Sequence, residues 1–250
     1  MSKKKIICHP EISMAFPYEH SKIKEMKEQY WIKRKSGDIY LDNKPSFKTF
    51  HYNELIVELH HEVYEVSEDT FQLLESIEVN EDDTALEIGT GCGLIALDCA
   101  RQGAKVICTD INPYAIELVK RNYLRNQSML KGTVEVRFGD LFSVLKSDER
   151  VDIAIFNPPY LPTISEERIG GTGWFDIATD GGVDGLSLTK RFIEEVGKYL
   201  SKQGRAYFVF SSLSDRGKLD AYLSNVELKS KVVSSRLFND EQIDIYFMYF

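Results

Sequence analysis

No stretch of the 250-residue chain approaches the roughly 18 consecutive apolar residues that a membrane-spanning helix needs. No apolar core follows the opening Met1-Ser2-Lys3-Lys4-Lys5, so a secretory signal is not expected and the protein reads as soluble and cytoplasmic, with no membrane partner. The four cysteines (Cys8, Cys92, Cys99, Cys108) form no C-x-x-C pair and have no histidine at zinc spacing, which speaks against a disulfide framework and against a metal site. An excess of positive charge is also missing. Against 39 Asp and Glu stand 31 Lys and Arg, a net of −8 that disfavours a free-standing binder of bare nucleic acid, because phosphate neutralisation supplies most of that affinity. Internal repeats and low-complexity tracts are lacking. What is there is an ordinary globular mixture, 43% apolar and 28% charged, in a chain long enough to bury a sizeable core. Its charge is uneven: residues 1–50 carry a net +5, leaving −13 for the rest. That shift marks a boundary. We expect a small basic extension over residues 1–60, with a β-hairpin turning at Ser36-Gly37-Asp38, ahead of one domain over 61–250.

The fold class expected for that domain is α/β. Short apolar runs at Thr84–Gly89, Lys105–Asp110, Val134–Asp140, Val151–Asn157 and Arg205–Phe210 alternate with helical patterns, as βαβ units with a parallel sheet do. Leu94–Gln102 closes at Gly103, and Asn112-Pro113 supplies an N-cap and an N1 proline for a helix reaching about Asn126. Ser67–Ile77 reads as an amphipathic helix with Phe71, Leu74 and Ile77 on one face. Near the end, Lys229–Phe238 and Ile243–Phe250 are separated by four residues, which permits a hairpin and excludes a crossover helix. The expected sheet is therefore Rossmann-like, mostly parallel, seven-stranded, and finished by an antiparallel last strand.

The strongest local motif is Leu86-Glu87-Ile88-Gly89-Thr90-Gly91-Cys92-Gly93, directly after a strand and directly before a helix. Alternate glycines let the backbone turn tightly and let a ligand approach the amides of the helix N-terminus. The spacing departs from the dinucleotide fingerprint, because the position three after Gly91 is Leu94 and the third glycine, Gly93, comes one residue early. An acid two residues before the first glycine suits a cationic ligand, whereas Glu87 would repel a pyrophosphate. S-adenosylmethionine, with an ammonium, a sulfonium and no phosphate, meets that description. Asp110 ends the second strand, where a carboxylate can accept from both ribose hydroxyls. Asp140 ends the third, placed to accept from an adenine amino group while Leu141 covers the ring; capping the next helix is the competing role.

The fourth strand ends in Asn157-Pro158-Pro159-Tyr160. A conjugated NH2 is planar and a poor nucleophile. Two acceptors, the Asn157 side-chain oxygen and the Pro158 carbonyl, can each take one of its hydrogens and hold the nitrogen in line with a methyl group. The prolines, Pro158 and Pro159, fix φ, and Tyr160 offers an aromatic face to the planar group.

With these motifs the chain resembles the class I S-adenosylmethionine-dependent methyltransferases, and among them the HemK-like protein-glutamine methyltransferases. Glu65–Phe71 (EVSEDTF) after Val63-Tyr64 is similar to the entry motif of the short archaeal and eukaryotic branch, with Val66 where that branch has proline. Ala178–Gly185 (ATDGGVDG) is similar to its glycine-rich turn. The resemblance covers about residues 62–250. It implies S-adenosylmethionine as cofactor, contact of Thr70 with it, the glutamine of a release-factor Gly-Gly-Gln loop as substrate, and a small zinc-binding activator subunit as partner. A second substrate stays open, an exocyclic base amine (adenine N6 or guanine N2) of RNA or DNA held by the basic N-terminal segment. A non-catalytic S-adenosylmethionine-binding scaffold stays open as well, although it has no need of paired acceptors.

Overall fold

A computed structural model describes residues 48–162 and 173–250 of the chain. Its first strands, β1 (Thr49–Tyr52) and β2 (Leu55–Glu58), form an antiparallel hairpin turning at Asn53-Glu54. Helix α1 (Glu68–Ser76) follows, and then β3 (Thr84–Ile88), α2 (Leu94–Gln102), β4 (Lys105–Asp110), α3 (Pro113–Asn126), β5 (Thr133–Phe138) and β6 (Val151–Phe156). The remainder is α4 (Trp174–Thr179), α5 (Ser187–Val196), β7 (Leu200–Ser211), α6 (Arg216–Ser224), β8 (Lys229–Phe238) and β9 (Glu241–Tyr249). The turn expected at Ser36-Gly37-Asp38 lies outside the described residues.

Seven strands build the main sheet in the order β5-β4-β3-β6-β7-β9-β8. From β5 to β7 every pairing is parallel, and β9 inserts antiparallel between β7 and β8. The expected fold class is the one found: an α/β sheet, mostly parallel, whose last strand runs against its neighbours. Strand β8 forms the edge and is largely exposed, whereas β3, β4 and β6 are buried on both faces. Two packed clusters cover the two faces. One includes Leu97, Val119, Ile153 and Ile245, the other Leu86, Phe156, Phe192 and Phe208.

Local chemistry explains the helix ends. The Asn112 side chain accepts from the Tyr114 amide, with Pro113 at the first helical position. Gly93 caps the start of helix α2; its φ of +84° favours glycine and its added Cβ would lie 2.9 Å from Val119. Helix α1 departs from its sequence pattern. Leu73 and Leu74 are buried as an apolar face should be, but so are Asp69, Thr70 and Gln72, while Phe71 is only half-buried. Asp69 meets the segment that follows β6, and Gln72 meets β8 and β9, distant partners that no helical period can reveal.

The chain runs outward through β3, β4 and β5 and then returns to place β6 beside β3, with Ile88 opposite Phe156. The carboxyl ends of β3 and β6 are therefore neighbours at the point where strand order reverses, the customary ligand position in an open sheet. This brings the glycine loop and the Asn-Pro-Pro-Tyr segment together.

Candidate active site

A pocket of about 390 Å³ opens at that reversal point. Every residue singled out from the sequence lines it: Thr70, Glu87, Gly89, Gly91, Asp110, Asp140, Leu141 and Asn157 to Tyr160, with the exception of Gly93, which sits behind the loop against Val119. Its carboxylates are Glu65, Asp69, Glu87, Asp110, Asp140 and Glu241, and no Lys or Arg stands among the described lining residues.

Two acids tie down the glycine loop. Glu87 Oε2 accepts from the Thr90 hydroxyl at 2.6 Å and from the Ala96 amide at 3.0 Å. Asp110 Oδ2 accepts from the Gly91 amide at 3.0 Å and its Oδ1 from the Asn112 amide at 2.8 Å. Burial removes water from both carboxyls. It pushes Glu87 up to about 8 and Asp110 up to about 6, with hydrogen bonds from Thr90 and Ala96 opposing the rise at Glu87. The sequence placed these acids, but only the structure shows that they brace the loop as well as line the cavity. At Asp140 the capping role is in view. The side chain takes part in a capping box with Ser143 and pairs with Arg191 Nη2 at 2.8 Å, while the residue still borders the pocket beside Leu141.

Asn157 is the most informative residue. Its Nδ2 donates to Asp69 Oδ2 at 3.0 Å, which defines the orientation of the amide because a carboxylate can only accept. Its Oδ1 is buried and has no hydrogen-bond partner. A buried, unpaired acceptor costs free energy unless something arrives to use it. The Tyr160 hydroxyl also donates to Asp69 Oδ2, at 3.2 Å, and burial followed by the Asp69 charge drives its pKa far up, so it stays a donor. Asp69 Oδ1 accepts from the Thr70 amide at 2.6 Å. One buried carboxylate thus orders Asn157, Tyr160 and Thr70 together.

Sequence reasoning passed over Asp69. It lies inside the Glu65–Phe71 motif next to Thr70, but a partner 88 residues away leaves no local signal. Glu241 and Tyr64 were also missed; both line the pocket, and the Tyr64 ring lies 6.0 Å from that of Phe175. The glycine-rich turn supports the motif from behind. Gly181 donates to the Leu161 carbonyl at 2.9 Å, and Ser214 Oγ donates to the Tyr160 carbonyl at 2.9 Å. A Cβ on Gly185 would sit 2.5 Å from that same carbonyl, so only glycine fits. Trp174 is buried and lines the pocket, so packing and pocket wall coincide in one side chain. His60 is buried, its ring stacks at 4.5 Å on His61 and 5.2 Å on Tyr114, and burial pushes its pKa down to about 4, so its role is structural. Among the described residues no group of three or more His, Cys, Asp or Glu is placed to hold a metal, and no helix is long and apolar enough to cross a membrane.

Comparison with known proteins gives a consistent result. The family model for the methyltransferase small domain matches residues 62–168. A putative protein N5-glutamine methyltransferase of Methanocaldococcus jannaschii is 41% identical over 161 residues, spanning 63% of this chain and 77% of the relative. The human methyltransferase HEMK2 is 30% identical over 196 residues, covering 74% of this chain and 88% of the relative. Among solved structures, the E. cuniculi Mtq2–Trm112 complex, described as methylating the termination factor eRF1, aligns with a TM-score of 0.57 at 23% identity over 75% of this chain and 98% of that one. That last likeness speaks to the fold.

Proposed function

The chain belongs to the HemK-like family of methyltransferases, and from that premise we propose that it transfers a methyl group from S-adenosylmethionine to the side-chain nitrogen of a glutamine in a translation release factor. The observation that carries the reading is the buried, unpartnered Oδ1 of Asn157, held with its amide oriented by Asp69. An oxygen placed so accepts one hydrogen of a planar NH2, and the adjacent Pro158 carbonyl accepts the other. The substrate nitrogen is then pinned with its lone pair directed at the incoming carbon, and the charge that develops on it is stabilised. Bound in the pocket, S-adenosylmethionine supplies the methyl group as an electrophile on sulfur. In that transfer the substrate nitrogen would gain the methyl carbon as the sulfur leaves it, and the Asn157 oxygen and Pro158 carbonyl would hold the nitrogen's two hydrogens until the surplus proton is lost to water.

The lining suits that cofactor. Asp110 carries negative charge at neutral pH, and Glu87, its pKa held at about 8 by burial, ionises more readily once a cationic ligand stands beside it; in this reading Asp110 accepts from the ribose, with Leu141 and Asp140 at the adenine. The lack of cations among the described lining residues gives no foothold for a phosphate backbone, which favours a protein substrate over a nucleic acid. The basic N-terminal segment on which a nucleic-acid substrate would depend lies outside the described residues.

The test is incubation of the protein with labelled S-adenosylmethionine and, separately, a release factor, total tRNA, ribosomal RNA and DNA. Label in the release factor that disappears when its Gly-Gly-Gln glutamine is replaced is the expected result, and label in RNA or DNA alone overturns the substrate. Because a methyltransferase solved in complex with Trm112 shares the fold of this chain, a small activator subunit belongs to the proposal. Copurified partners are therefore included in the assay.

The raised carboxyls make a pH prediction. A carboxyl that binds its proton more tightly in the folded state stabilises the fold below its ordinary pKa, and that contribution is lost as pH rises through the folded value. Glu87 rises to about 8, so the ligand-free protein should resist urea better at pH 5 than at pH 8.5. Glu87→Gln keeps an acceptor for Thr90 and Ala96 and should flatten the dependence. Cofactor affinity should move the opposite way, rising between pH 6 and 8 in the wild type because a cationic ligand favours the ionised carboxylate, and staying low in Glu87→Gln. Urea titrations at the two pH values read the first effect and titration calorimetry across pH the second; equal affinities for the two proteins would remove Glu87 from the cofactor's charge balance.

A further inference from the structure

Successive residues of a strand turn their backbone N–H and C=O groups to opposite sides. In β2, Leu55 and Val57 face β1, which leaves Ile56 and Glu58 with outward groups that a third strand would ordinarily pair. Helix α3 takes that place with two asparagines one turn apart. Asn126 Oδ1 accepts from the Ile56 amide at 2.8 Å and its Nδ2 donates to the Ile56 carbonyl at 2.8 Å. Asn122 repeats the arrangement on Glu58, accepting at 2.8 Å and donating at 3.0 Å. At the helix start Asn112 Nδ2 donates to the Glu62 carbonyl at 2.7 Å. Three asparagines of one helix therefore carry the chain from the hairpin down to the pocket wall that begins at Val63.

Asn122 does one thing more. Its Nδ2 also donates to the Cys92 carbonyl of the glycine loop at 2.8 Å, and the side chain is fully buried. A single carboxamide thus bonds the hairpin on one side and the loop on the other. Asn112 makes the parallel link, since its own amide is held by Asp110 Oδ1. The hairpin lies upstream of the residues that match the family model and touches no part of the pocket itself.

We propose that Asn122 is a positioning residue for the glycine loop, and that through it docking of the β1–β2 hairpin and binding of the cofactor are coupled. The inference rests on the cofactor reading given above. Holding the Cys92 carbonyl keeps the loop in the left-handed turns that bring Gly89 and Gly91 to the cavity. A loop freed at that carbonyl must be ordered by the ligand, and the ordering subtracts from affinity. Coupling is reciprocal, so a bound ligand also tightens the hairpin.

Two measurements test this. In the wild type, amide hydrogen exchange at Ile56 and Glu58 is followed with and without saturating S-adenosylmethionine, and slower exchange at both is expected. By calorimetry, Asn122→Ala should weaken S-adenosylmethionine binding about tenfold, within the usual range of coupling between sites. Asn126→Ala, which frees the hairpin but leaves the Cys92 bond, should weaken it less. Leu228→Ala, a buried truncation beside Gly197, is a control for lost stability alone and should leave the affinity unchanged. Unaltered affinity in Asn122→Ala, or exchange at Ile56 and Glu58 that ignores the ligand, overturns the proposal. If Asn122→Ala does not fold, the exchange measurement decides alone. Wild-type protein that binds no S-adenosylmethionine overturns the cofactor reading and the coupling together, whereas binding without protection of the hairpin overturns the coupling only.

Discussion

Replacing Asn157 by alanine is expected to lower kcat by about 10²–10³-fold, the usual cost of removing one preorganised polar group aimed at developing charge. The substitution deletes the one buried acceptor without a partner among the described lining residues. It leaves the glycine loop, Glu87 and Asp110 with their own bonds. Cofactor affinity should therefore fall far less than kcat, and single-turnover methyl transfer set beside calorimetry separates the two. A comparable loss in both would assign Asn157 to cofactor binding, and undiminished transfer would remove it from the chemistry. Stability should not suffer, because an unsatisfied buried oxygen disappears with the side chain and only the bond to Asp69 is lost.

Asp69→Asn should lower kcat by about 10–100-fold without contact between residue 69 and the reacting atoms. As a carboxylate, Asp69 can only accept, and so it dictates that Asn157 points Nδ2 toward it and Oδ1 away. A carboxamide at position 69 offers its own NH2. The Asn157 amide can then turn over, pair its oxygen with the new donor and present NH2 to a substrate that needs an acceptor. The hydroxyl of Tyr160 and the backbone of Thr70 would lose a charged partner at the same time. The distinguishing sign is a fall in kcat with the cofactor Kd close to the wild-type value, and partial recovery in Asp69→Glu if the longer carboxylate reaches Asn157. Equal kcat in Asp69→Asn and the wild type would refute the orienting role.

These two residues mark how far the sequence carries. The glycine loop, the strand-end acids Asp110 and Asp140 and the Asn-Pro-Pro-Tyr segment were legible because each sits at a strand end, where a short motif has one place to go. The sheet was legible for a similar reason. Apolar runs such as Val151–Phe156, and a four-residue gap that leaves no room for a crossover helix, allow few topologies. Helix α1 was legible as a helix but not in its orientation, since an apolar period cannot say that Asp69 and Gln72 will be buried against distant polar partners. The second role of Asp140, paired with Arg191 across 51 residues, was equally out of reach.

The sequence by itself determined the α/β sheet, the position of the pocket at the junction of β3 and β6, and the family to which its motifs are similar. These follow from periodicity, glycine and proline placement, and the chemistry of contiguous residues, all of which act over a few positions. Tertiary structure alone decided which atom of Asn157 is left to work, which carboxylate orients it, and how the asparagines of α3 fasten a hairpin to the glycine loop. Those depend on hydrogen bonds between residues 30 to 90 positions apart, whose partners are selected by packing and leave no mark in the local order of side chains.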